Sequence, residues 1–92
     1  MNISIIIPAK NEEKYILNGL KKIIEAREIL LGEFPFVKVE IIVANNNSDD
    51  RTAEIAAEFA DEIINTAANS IAGVRNSGAS AASYEILVFI DA

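Results

Sequence analysis

Four stretches of the chain carry side chains able to bind or polarise a substrate. Lys10, Asn11, Glu12 and Glu13 follow an apolar run, Ile3 to Ile7. Asn45-Asn46-Asn47-Ser48-Asp49-Asp50 follows a second run, Arg75 stands between Gly73 and Gly78, and Asp91 closes a third run, Tyr84 to Ile90. A carboxylate at the end of an apolar strand can ligate Mg²⁺ or Mn²⁺, hard ions that bridge to substrate phosphates. The planar fork of Arg75 suits a phosphate or a base carbonyl. Each has a plainer alternative: a solvated turn for Asp91, an ordinary strand-to-helix turn for 45–50, a surface cation for Arg75, and support of a helix dipole for Glu12 and Glu13.

Composition narrows the chemistry. With no His and no Cys, Ser-His-Asp triads, Cys-His nucleophile pairs and the common zinc sites are excluded from this chain, so any metal must be held by oxygen. No Gly-x-Gly-x-x-Gly follows the first strand and there is no Gly-Lys-Ser/Thr phosphate loop, which removes the main warrant for dinucleotide and P-loop readings. Fourteen acidic against eight basic residues give a net charge of -6, and no basic patch interleaved with aromatics is present, which argues against nucleic acid as a partner. No apolar run approaches the ~18 residues of a membrane span. No leader pattern is evident, so the default location is cytoplasmic, with membrane association left open for a fuller protein.

The elements that must position these groups follow from the pattern of apolar residues. Ninety-two residues make one domain, 1–92. Ile3 to Ile7 reads as a strand buried on both faces and ended by Pro8. Glu12 to about Leu31 reads as a helix, with Ile16, Leu20, Ile23, Ile24 and Leu31 on one face and Gly32 as its stop. Strand two spans Val37 to Ala44, and a helix runs from about Arg51 to Ala60 with Ser48 or Asp49 as its N-cap. A short strand, Glu62 to Asn65, follows. Ala67 to Ser83 is so rich in Ala, Ser and Gly that only close helix packing or a partly mobile segment fits, and Ser70 to about Ser83 is predicted helical. The last strand, Tyr84 to Ile90, is nearly all apolar and is expected to be central. The alternation predicts an α/β, three-layer Rossmann-like parallel sheet in the order 3-2-1-4, with helices on both faces. Its ligand crevice is expected beside Pro8, Asn45 and Asp91.

Together these pieces resemble the donor-binding half of family-two glycosyltransferases, the A-type fold that transfers sugars from nucleotide diphosphates with inversion. Ser4-Ile-Ile-Ile-Pro8-Ala-Lys-Asn11-Glu12-Glu13 is similar to that family's opening strand and Asn-Glu turn. Glu40 to Thr52 is similar to its second strand, loop and helix start. Gly73-Val-Arg75-Asn76-Ser-Gly78 matches its Ala-Arg-Asn-x-Gly helix, and Phe89-Ile-Asp91-Ala92 the strand into its Asp-x-Asp metal motif. The resemblance implies that Pro8, Ala9, Lys10 and Glu12 line the base and ribose pocket. It also implies that Asn45 and Asn46 face the base, that Arg75 reaches the base or phosphates, and that Asp91 serves ribose or a Mg²⁺ or Mn²⁺ ion. The implied ligand is a UDP or GDP sugar.

Two departures stand out. Where the family usually has Asp-Asp-Gly after strand two, this chain has Asn45-Asn46-Asn47, and an amide offers one weaker acceptor plus a donor in place of a carboxylate. The second Asp of the metal motif would follow Ala92, and the family's acceptor site and catalytic base lie further on. The chain therefore reads as a truncated donor half, with no catalytic residue of its own, expected not to transfer sugar alone. It is also expected to self-associate through surface that a following half would cover. Two other readings stand beside this one: a non-catalytic binding module of the same fold, and a receiver-like domain with Asp91 as phosphoacceptor. The last lacks the acidic pair after strand one and the Lys beyond a fifth strand.

Overall fold

A computed structural model describes residues 1–91; Ala92, the last residue compared above with the metal motif, lies outside them. The elements alternate as β1 (Ile3–Ala9), α1 (Ile16–Glu33), β2 (Val39–Asn46), α2 (Thr52–Ala57), β3 (Glu62–Thr66), α3 (Ile71–Ser80) and β4 (Ile86–Phe89). All strand pairs are parallel, in the order β3-β2-β1-β4. Ile3 pairs with Val39 on one side and Ile86 on the other, and Ala9 pairs with Asn45, which pairs with Asn65.

Period-two alternation divides the apolar runs between two faces. Ile7, Ala9, Ile41 and Val43 pack with Ile16 and Leu20 of α1 and Ala56 of α2. On the other face α3 lies close against the sheet: a Cβ added to Gly78 would collide with Ile6 Cγ2 and touch Ala44 at 3.5 Å. The small residues of 67–83 thus serve close packing, with Ser70 as N-cap accepting from the Gly73 N–H at 3.0 Å. At the amino ends of the strands, Glu40 accepts from the Ser4 hydroxyl and the Ser83 N–H, and Ser4 Oγ accepts from the Tyr84 N–H at 3.2 Å. These bonds fix where β4 begins.

Several expected boundaries move. Pro8 does not end β1, because odd residues of that strand bond toward β2 and even ones toward β4: the Ile3 N–H reaches Lys38 O and the Ile90 N–H reaches Ile6 O. The bare nitrogen of Pro8 points past the end of β4, where no ladder bond is asked of it. Helix α1 starts at Ile16, not Glu12; the segment before it is a turn in which the Tyr15 and Ile16 amides donate to Glu12 O and the Glu12 and Glu13 amides donate to Thr52 and Asp50 side chains. It runs through Gly32 and stops before Phe34, whose φ of -128° fits a residue preceding proline. Neither Ser48 nor Asp49 caps α2; the flanking residue is Arg51, and the Thr52 N–H is held by Asp50. Strand β4 is not central but an edge among the described residues, with Leu87, Val88 and Phe89 exposed by 40, 38 and 43%.

Candidate functional site

At the carboxyl ends of β1, β2 and β4 lies a cleft of about 390 Å³ lined by Pro8, Ala9, Lys10, Glu12, Asn46, Ile71, Val74 and Asp91. Parallel strands deliver all their carboxyl ends to one edge, so loops that are far apart in sequence meet there. Six of the eight residues singled out from the sequence line this cleft.

The other two stand behind it. Asn45 is only 7% exposed; its Nδ2 donates to Asn65 Oδ1 at 3.0 Å, and its own Oδ1 is buried without a partner among the described residues. Neighbouring strand residues face opposite sides, so Asn46 reaches the cleft on the α3 side and Asn45 turns the other way. Asn46 Nδ2 donates one of its two hydrogens to Ala68 O at 3.3 Å. Arg75 does not line the cleft. It approaches Asp91 from α3, with Nη2 at 3.2 and 3.4 Å from the two carboxylate oxygens, while its Nε is buried without a partner among the described residues.

Two lining residues escaped the sequence reading, Ile71 and Val74, spaced i, i+3 on the first turn of α3. Val74 is buried and Ile71 is 66% exposed at the cleft, an apolar surface on which a flat ring can rest. The i, i+3 spacing next to Ser70 was the available signal.

The rim is built by two loops with left-handed residues, Asn11 (φ 51°) and Asn47 (φ 50°). Asn tolerates this region better than most residues. Asp50 accepts from the Thr52 hydroxyl and from the Thr52 and Glu13 amides. The Thr52 hydroxyl first, and those amides after it, hold the Asp50 carboxyl below its ordinary range.

No group of three or more His, Cys, Asp or Glu able to hold an ion occurs among the described residues. The cleft offers Asp91, already faced by a guanidinium, and Glu12. These residues do not form a metal centre by themselves.

The family model described as Glycosyl transferase family 2 matches residues 4–92. The 4,4'-diaponeurosporenoate glycosyltransferase of Staphylococcus haemolyticus (strain JCSC1435) is 37% identical over 98 residues, covering 99% of this chain and 24% of that protein. The probable glycosyltransferase YdaM of Bacillus subtilis (strain 168) is 40% identical over 60 residues, 65% of this chain and 13% of that protein. The dolichyl-phosphate beta-glucosyltransferase ALG5D of Trichomonas vaginalis (strain ATCC PRA-98 / G3) is 38% identical over 63 residues, 68% of this chain and 19% of that protein. The chain therefore spans less than a quarter of the length of these relatives. No solved structure matches it, and among the described residues no helix is long and apolar enough to cross a membrane.

Proposed function

The chain belongs to glycosyl transferase family 2, and from that premise we propose that it is the donor-binding half of an inverting glycosyltransferase whose cleft takes a nucleotide diphosphate sugar of the UDP or GDP type. The observation that carries this reading is the convergence of Pro8, Ala9, Lys10, Glu12, Asn46 and Asp91 on one cleft at the carboxyl edge of the sheet. In this reading Ile71 and Val74 supply an apolar floor, and the side-chain carbonyl of Asn46 accepts from a ring N–H of the base, a bond weaker than a carboxylate would give. Lys10 faces the phosphates as a point charge. Arg75 holds Asp91 in place until phosphate oxygens offer it other partners, and Asn45 serves the base indirectly by fixing the end of β2.

Mg²⁺ or Mn²⁺ enters the proposal as a companion of the diphosphate, with Asp91 as this chain's contribution to its oxygen ligands. Sugar transfer itself is assigned to the longer protein. The 92 residues alone are expected to bind donor but not to transfer it, and to work on the cytoplasmic side, at or away from a membrane. Among the described residues β4 leaves an open edge, and the proposal includes self-association of the isolated chain through it.

Calorimetric titration with UDP and GDP, each with and without Mn²⁺, tests the reading. Saturable heat with one nucleotide, strengthened by Mn²⁺, is expected. Silence in all four titrations would discard it in favour of a non-catalytic module, a reading that the engagement of Asn45 with Asn65 and of Asp91 with Arg75 would then suit.

A further inference from the structure

The β1–α1 loop and the β2–α2 loop are laced together by hydrogen bonds running in both directions. The Asn11 N–H donates to Ser48 Oγ at 3.0 Å, the Glu12 N–H to Thr52 Oγ1 at 2.8 Å and the Glu13 N–H to Asp50 Oδ2 at 3.2 Å. In return the Asp49 N–H donates to Asn11 Oδ1 at 2.8 Å and the Arg51 N–H to Glu13 Oε2 at 3.2 Å. Thr52 is fully buried, so one member of the lacing is anchored in the core. Asn11 both gives a bond and takes one, and it lies between Lys10 and Glu12, which line the cleft while it does not. Its φ of 51° makes the bend that sends its neighbours to the cleft and its own amide to the other loop.

We infer that Asn11 is a positioning residue: it clasps the segment bearing Lys10 and Glu12 to the β2–α2 loop, so that this wall of the cleft is set before a ligand arrives. This rests on the nucleotide-binding reading above. A wall that is only fractionally in place lowers apparent affinity by that fraction, so losing the clasp is felt at Lys10 and Glu12 although Asn11 touches no ligand. It also follows that the β1 and β2 sides of the cleft move as one body. Any adjustment around a ligand then falls to Asp91 and Arg75.

The test compares Asn11→Ala, which loses the acceptor and disfavours positive φ, with Asn11→Asp, which keeps the acceptor and tolerates that φ. Amide hydrogen exchange at Glu12, Glu13 and Asp49, and affinity for UDP or GDP, are read on both. In Asn11→Ala the Asp49 amide is expected to exchange about tenfold faster and the nucleotide to bind about tenfold more weakly, whereas Asn11→Asp stays within about twofold of the parent in both. Rescue by Asp separates positioning from mere bulk. Unchanged exchange at Asp49 in Asn11→Ala, failure of Asp to rescue, or a freed loop with undiminished affinity would each overturn the inference. If Asn11→Ala does not fold, Ser48→Ala removes the partner of the Asn11 N–H, and faster exchange at the Asn11 amide with weakened nucleotide binding is expected, unchanged affinity beside a freed Asn11 amide overturning the inference. A parent protein that binds neither nucleotide would sink the underlying reading, while the exchange rates would still report on the clasp.

Discussion

Asp50 accepts three hydrogen bonds where the two rim loops meet, from the Thr52 hydroxyl and from the Thr52 and Glu13 amides. All three favour the ionised form, so its folded value lies below the ordinary ~3.9 of a carboxylate. The sign follows by linkage: the stabilisation is fully present above about pH 4 and is lost as pH falls through the depressed folded value. The gap in urea midpoint between the parent and Asp50→Asn is therefore expected to be constant from neutral pH to about pH 5 and to close below about pH 4; a gap that widens on acidification would refute this. Residue types in this loop were legible as turn formers, but their partners were not, since those lie on a segment some 37 positions away. Asn47, where the family pattern has glycine, has the left-handed φ that glycine would take with least strain. Asn45 and Asn46 looked alike in sequence, and the period of the strand was the one clue that they part to opposite faces.

Strands β1 and β2 were legible because Ile-rich runs buried on both faces permit little else, and the order was argued from which runs were most apolar. What could not be read was how side chains distant in sequence tie down the turn before α1, which begins at Ile16. The apolar character of β4 was read as central burial, but Leu87, Val88 and Phe89 stay half-open at an edge among the described residues. The small-residue helix was the most informative element. Gly78 sits where a Cβ would strike Ile6, a fully buried side chain of β1. Gly78→Ala is therefore expected to cost about 1–3 kcal/mol in denaturant unfolding through overpacking. Ile6→Ala alone should cost about 2–5 kcal/mol by leaving a cavity. Combined, the two should cost less than their sum, because the added methyl enters the space vacated; additive losses would show that α3 shifts away instead.

At the scale of the whole molecule, one side of the sheet is unevenly covered. Between α1 and β4 two apolar grooves share Ile23 and Ile90; one reaches Ile7, Ile16 and Leu20, the other Ile5, Leu30 and Val88. The outer edge of β4 carries ladder groups that no strand pairs among the described residues, and an apolar edge of this kind is a template for another strand. A second copy of the 92 residues, pairing strand to strand along this edge, is one cover of fitting chemistry. Sedimentation across a concentration series is expected to show species larger than 10.0 kDa. Val88→Lys, which sets a charge where groove and edge meet, is expected to return the protein to monomer with its nucleotide affinity intact, because Val88 is not among the residues lining the cleft. A parent that stays monomeric throughout the series, or a Val88→Lys protein that associates as strongly as the parent, would place the association elsewhere or remove it.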